Sequence, residues 1–272
     1  MYLTENKRQS HGKISLFILP FTIVACGGST NENVIIEKEI DSIVEVSSAF
    51  TTVEFEASDG LLVSGNLYET GNEGSESIVL CHQATFNKFE YDGVAERLVE
   101  LGFNCLAIDQ RSGGPIGSYQ NETTLRALEQ DKGIDYLDAI PDITAGVNYL
   151  SDKFQQPVIL WGSIYSSTLV LYEAAKNENV KAVVSFSPGD YFADTLGSLV
   201  PIYADFQKPF FLTSASWESG QTSAIIAGKE LIGGQVQFIP EKSGHHGSRA
   251  LWLNQIGGEE YWNAIEEWLS QF

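Results

Sequence analysis

The sequence predicts an α/β fold with a mostly parallel central sheet and helices on both faces. Apolar runs of strand length alternate with segments of helical period, and most of those runs are continuously apolar, as strands covered on both faces must be. Length and composition agree: 272 residues with 43% hydrophobic content suffice for one sizeable core.

Taken in order, the N-terminus is set apart. Lys7, Arg8 and Lys13 precede a twelve-residue apolar stretch, 14–25, interrupted by Pro20 and followed at once by Cys26. A bilayer core of about 30 Å needs about 20 helical residues, so this stretch reads as a signal peptide rather than a membrane span. Ile23, Val24, Ala25 and Cys26 resemble the bacterial lipobox. That resemblance implies cleavage before Cys26, acylation of its sulfur and its new amino group, and anchoring of the chain at a bacterial cell envelope, on the outer-membrane or periplasmic side. An ordinary secretory signal with a chance cysteine is the alternative. Residues 27–48 are polar and acidic without a clear period and read as a tether; as a flexible coil it reaches roughly 25 Å. The expected organisation is therefore a signal peptide over 1–25, an acylated cysteine and tether over 26–48, and one globular domain over 49–272.

Within 49–272, a hairpin is predicted from 51–57 and 61–68 around Ser58, Asp59 and Gly60. Apolar strands follow at 77–81, 103–108, 157–161 and 180–186, with two more at 209–214 and 235–239. Helices are expected at 91–101, 143–154, 167–175, and in a last segment holding Tyr261, Trp262, Ile265, Trp268 and Leu269. Residues 112–141, rich in glycine at 113, 114 and 117, read as a loop with one short helix. Cys81 and Cys105 fall inside apolar strands, where a thiol packs as a small hydrophobe.

The net charge of −20 disfavours nucleic acid and anionic surfaces, leaving the lipid anchor as the expected membrane contact. The histidines have no metal-ligand spacing, and no phosphate loop or dinucleotide fingerprint is present, so neither metal nor cofactor is expected.

Ligands of a parallel sheet bind beyond the carboxyl ends of its strands. The residues there are His82, Gln83 and Ala84; Asp109, Gln110, Arg111, Ser112 and Gly113; Gly162, Ser163, Ile164, Tyr165 and Ser166; Trp217 and Glu218; and His245, His246 and Gly247. The segments VLCHQA, AIDQRSGG, ILWGSIYSS, FFLTSASWE and SGHHGSRALW resemble the α/β-hydrolase superfamily over about 50–272, nearest its small dienelactone-hydrolase-like and esterase-like members. The resemblance implies a nucleophile, acid and histidine in that chain order, acting on a small ester or acyl substrate.

A nucleophile elbow needs small residues two before and two after its apex. Gly162 and Ser166 satisfy that for an apex at 164, whereas an apex at Ser163 would be flanked by Trp161 and Tyr165. The nucleophile position is thus Ile164, which has no proton to lose and no lone pair. Two rescues stay open: Ser163 as an alternative nucleophile in a distorted elbow, or a water activated by the histidine. The resemblance implies Glu218 as the acid and His246 as the histidine, with His245 second in line. It also implies oxyanion donors from Gln83, Ala84 and the Tyr165 backbone. His82 is expected to brace its loop, and Asp109, Arg111, Ser112 and Gly113 to form the floor of the site. A non-catalytic binding or scaffolding lipoprotein on the same fold is the competing reading.

Overall fold

The computed structural model describes residues 49–272. The expectations for the signal peptide, Cys26 and the tether lie outside the described residues.

Eight strands form one sheet in the order β1-β2-β4-β3-β5-β6-β7-β8. They are β1 (Thr51–Glu56), β2 (Leu62–Tyr68), β3 (Ser77–Cys81), β4 (Asn104–Ile108), β5 (Val158–Ser163), β6 (Val180–Phe186), β7 (Phe210–Thr213) and β8 (Gln235–Phe238). The opening hairpin pairs antiparallel, β2 joins β4 antiparallel, and every pairing from β4 to β8 is parallel. Among the described residues eight α-helices accompany them: α1 (Asp92–Glu100), α2 (Glu122–Glu129), α3 (Ile140–Phe154), α4 (Tyr165–Lys176), α5 (Ala193–Leu196), α6 (Leu199–Asp205), α7 (Ser219–Ile225) and α8 (Gly258–Leu269). Among the described residues no helix is long and apolar enough to cross a membrane.

The continuous apolar runs are explained by two separate cores, one on each face of the sheet. Ile78, Leu80, Ile159, Trp161, Val184 and Phe186 point to one side, where α1 and α8 cover them with Val94, Leu98, Trp262, Ile265 and Trp268. Val79, Cys81, Leu106, Ile108, Leu160 and Val183 point to the other, beneath α3, α4 and α6, which contribute Ile143, Val147, Leu169, Leu171 and Leu199. Alternate residues of a strand face opposite sides, so both sets must be apolar. Cys81 and Cys105 are free and buried in these cores, and burial pushes both thiols up.

Segment 112–141 is more helical than its glycines suggest. It holds α2, a 3-10 turn at Tyr136–Ala139 and the start of α3 at Ile140. α2 is capped by the Asn121 side chain, which accepts from the Thr124 N–H at 2.8 Å, and Pro141 sits in the first turn of α3, where its missing N–H costs nothing.

The loop after β4 is pinned by buried charge. Arg111 donates to both Asp142 carboxylate oxygens, from Nη2 to Oδ1 at 2.6 Å and from Nε to Oδ2 at 3.1 Å, and its Nη1 pairs with Asp59 at 2.6 Å. Lys88 reaches Asp109 at 2.8 Å, both side chains being buried. Breaking a buried pair from one side strands the other charge, at about 3–5 kcal/mol. Asp142→Ala should therefore lower stability by about 3 kcal/mol, near the bottom of that range because Asp59 still holds Arg111; the urea unfolding midpoint checks this.

Candidate active site

The apex of the β5–α4 turn is Ile164. It has φ +58° and ψ −116°, a conformation that is a genuine outlier for a β-branched residue. The turn is nevertheless closed by hydrogen bonds: the Ile164 N–H donates to the Phe186 carbonyl at 2.9 Å and the Ser167 N–H to the Ile164 carbonyl at 3.0 Å. Gly162 is obligatory, because a Cβ there would lie 2.5 Å from the Ser166 carbonyl oxygen and 2.6 Å from Ser167 Cα. The small-residue register read from the sequence is the register of the turn.

Ser163 is turned away from the apex. Its side chain is fully buried, and Oγ accepts the Ser248 N–H at 2.9 Å. The distorted elbow that would make Ser163 an alternative nucleophile is absent, because the strained residue is the one after it.

The acid and the histidine come together. Glu218 follows β7 in a short 3-10 turn, Ser216–Glu218, and its Oε1 is hydrogen-bonded to His246 Nδ1. The other oxygen accepts the Ser187 hydroxyl at 2.7 Å and the Ala215 N–H at 3.2 Å. Burial alone would raise the Glu218 pKa, but the hydrogen bonds from His246 and Ser187 outweigh it and hold the carboxyl below its usual range. With Nδ1 engaged, His246 keeps Nε2 for a reacting group, and among the described residues Nε2 makes no hydrogen bond. Gly247 packs onto the elbow so closely that a Cβ would approach Ile164 Cγ1 to 2.9 Å, which sets the histidine loop beside the apex. His245 bonds instead to the His246 carbonyl at 2.8 Å and does not touch Glu218. Trp217, 70% exposed, stacks on the His246 ring at a centroid distance of 6.1 Å.

Of the expected oxyanion donors, Gln83 requires correction. Its N–H donates to Glu90 Oε2 at 2.6 Å, deep in the protein, so it does not serve the site. The Ala84 amide carries no hydrogen bond among the described residues. Tyr165 is the first residue of α4, where amides lack intrahelical acceptors and carry the positive end of the helix dipole. Its phenol is anchored by Gln110 and Ser112, each at 2.7 Å.

His82 braces its loop as expected. Nε2 accepts the Gln110 N–H at 3.0 Å, which leaves Nδ1 to donate to the Gln83 carbonyl at 2.8 Å, and burial depresses the pKa of the ring. Asp109 receives the Lys88 and Glu122 N–H groups, each at 2.9 Å, and so ties two loops to the floor.

Two residues escaped the sequence reading. Ser187 bridges Glu218 and the Gly247 N–H, the latter at 3.0 Å; it follows β6 directly, so the strand-end rule finds it once the end of β6 is read as well. Glu90 lies in the 3-10 turn Lys88–Tyr91, and nothing in the sequence marks it.

A sheet with one antiparallel hairpin edge, an elbow after β5, an acid after β7 and a histidine after β8 is a specific combination. The chain has the α/β-hydrolase fold. Solved structures agree: the Pyrococcus furiosus esterase Pf2001 superposes with a TM-score of 0.60 at 18% identity, over 82% of this chain and 92% of that one. DcsB in complex with its substrate analogue gives a TM-score of 0.59 at 16% identity, over 82% of this chain and 99% of its own. The Pyrococcus horikoshii acylaminoacyl peptidase gives 0.59 at 15% identity over 81% of this chain, which spans only 41% of that longer protein. No family model and no curated protein matches the sequence.

The tight approach at Gly162 makes a direct prediction. Gly162→Ala places a methyl group against backbone rather than a flexible side chain, and overpacking of that kind costs about 1–3 kcal/mol. Thermal unfolding of the variant should shift down accordingly.

Proposed function

We propose that this α/β-hydrolase-fold chain binds small carboxylic esters or related acyl compounds at the elbow and hydrolyses them slowly through a water molecule deprotonated by His246, with no acyl-serine intermediate. The observation that carries this reading is the Glu218–His246 pair, oriented beside an apex whose side chain, Ile164, has no nucleophilic atom. A hydrogen-bonded carboxylate fixes the imidazole tautomer and stabilises the imidazolium formed when Nε2 takes a proton. The Ala84 and Tyr165 amides supply the donors for a tetrahedral oxyanion. Losing the covalent step leaves oxyanion stabilisation and binding, which in triad knockouts retain about 10³–10⁴-fold over water.

The second reading, a binding or scaffolding protein without turnover, is favoured by Ile164 alone, which puts apolar atoms where chemistry would need a nucleophile. A fluorophosphonate probe with peptide mass spectrometry separates the two, run beside an ester turnover assay. The native chain should remain unlabelled yet hydrolyse an activated aryl ester slowly, and His246→Ala should remove that turnover. Ile164→Ser should become labelled at residue 164 and accelerate turnover by at least about tenfold. Labelling of the native chain at Ser163 would overturn the proposal. A bound acyl ligand that is never turned over by the native chain would favour the binding reading.

We further propose that acyl chains on Cys26 carry the domain on a bacterial envelope, a placement supported by the basic start, the apolar stretch 14–25 and the lipobox-like residues 23–26. Expressed with its full N-terminus in a bacterial host, the chain should partition into detergent and show an N-terminal acylated cysteine by mass spectrometry, and Cys26→Ser should release it to the aqueous phase.

A further inference from the structure

Beside the elbow lies a buried polar cluster that the reaction does not use. Glu90, 2% exposed, accepts the Gln83 N–H through Oε2 at 2.6 Å, and its Oε1 has no hydrogen-bond partner among the described residues. The Ser163 hydroxyl faces the same carboxyl while accepting the Ser248 N–H at 2.9 Å. Ser248 is fixed in turn, its hydroxyl accepting Trp161 Nε1 at 3.0 Å and bonding to the Tyr91 phenol at 3.2 Å. The backbone of Glu90 is held as well, since its carbonyl accepts Trp252 Nε1 at 2.7 Å.

This cluster joins three chain segments that are remote in sequence: the loop after β3 through Gln83, the elbow through Ser163, and the histidine loop through Ser248. Each segment also carries one part of the candidate machinery: the Ala84 amide, the apex and Tyr165 amide, and His246. We propose that Glu90 is a positioning residue that locks the Ala84 loop to the elbow and, through Ser163 and Ser248, to the histidine loop. Its contact with Gln83 settles which amide faces the site: with the Gln83 N–H turned inward, Ala84 is the loop's donor. Ser163 is therefore a pin between loops.

The charge state of the pin matters to the oxyanion. Burial is the main cause that pushes the Glu90 carboxyl up to about 8, against the Gln83 N–H, the nearby Ser163 hydroxyl and the charge of Arg249. Arg249 is thus the cation that faces it, and the neighbouring Tyr91 phenol is pushed well up by burial, so it remains neutral. At neutral pH the carboxyl is mostly protonated and adds little repulsion to a negative oxygen held by the adjacent loop. Ionisation above about pH 8 places a like charge behind that loop and weakens oxyanion binding. The sign for folding is the same: a raised carboxyl pKa makes the folded state lose stability as pH rises from the ordinary value of 4.5 to about 8, because only the unfolded chain ionises in that window.

The proposal rests on the functional reading above only for its catalytic consequence, so two measurements separate them. In the native chain, amide hydrogen exchange at residues 82–85 reads the lock directly. Glu90→Ala should speed exchange of the Gln83 amide by about tenfold, roughly the worth of one buried hydrogen bond, whereas Glu90→Gln, whose amide oxygen can still accept, should restore protection. Unchanged exchange in Glu90→Ala overturns the lock. If Glu90→Ala fails to fold, the decision passes to Glu90→Gln, and loss of Gln83 protection in that folded variant overturns it equally.

The second measurement uses the Ile164→Ser protein, with fluorophosphonate labelling rate as readout. That rate should fall as pH rises through about 8, and the Ile164→Ser/Glu90→Gln double variant should lose the fall. A fall that persists in the double variant overturns the role of the Glu90 charge. Absence of labelling of Ile164→Ser at every pH instead sinks the hydrolase reading, and the exchange result then decides the lock by itself.

Discussion

A strand passes into a helix within a single residue only if two stretches of backbone come closer than any side chain allows. That close approach, between Gly162 and the Ser166–Ser167 backbone, is the constraint on which the rest of this site depends. It forces the turn residue Ile164 to φ +58°, and it starts α4 with its free amides beside the apex. Backbone strain of this sort costs on the order of 1–3 kcal/mol and persists only where its surroundings over-determine it. Here the surroundings are the hydrogen bonds of Ile164 to Phe186 and Ser167, and the packing of Gly247 onto the apex. The strained apex is occupied by Ile164, whose side chain has no nucleophilic atom.

Around this turn the protein distributes its polar groups in two layers. Facing the site are Glu218, His246 and Ser187, a chain of hydrogen bonds that keeps the carboxylate ionised despite burial and orients the imidazole. Behind the site are Glu90, Ser163, Ser248, Tyr91 and Trp161, which reach no surface and serve to fix loops. The same residue type shifts in opposite directions in the two layers: hydrogen bonds win over burial at Glu218, and burial wins over hydrogen bonds at Glu90. That difference follows from position, since Glu218 meets a histidine able to carry positive charge and Glu90 meets a backbone N–H and a hydroxyl.

Much of this was legible in the sequence because it rests on local rules. The elbow register follows from side-chain size at 162 and 166, and the two-sided sheet from uninterrupted apolar runs. Glu218 and His246 stand among the residues just beyond the strands, and the resemblance to the α/β-hydrolase superfamily singles them out. The glycines at 113, 114 and 117 conceal that Asn121 caps one helix and that Pro141 sits in the first turn of the next. The resemblance offers Gln83 and Ala84 alike as donors after His82, but adjacency along the chain does not say which of two neighbouring amides turns inward. That choice belongs to Glu90, seven residues on.

What the sequence by itself determined is the fold class, the identity of the apex and the absence of a nucleophilic atom at it, all of which depend on residue size and chemistry within a few positions. What only the tertiary structure decided is the direction of each polar group. Ser163 lies one residue from the apex and is sealed by Ser248, 85 positions away; the Glu218 carboxyl is tuned by Ser187 and His246, which are 31 and 28 positions away. Hydrogen bonds between such distant segments depend on how the sheet stacks its strand ends, and a periodic pattern along the chain carries no record of them.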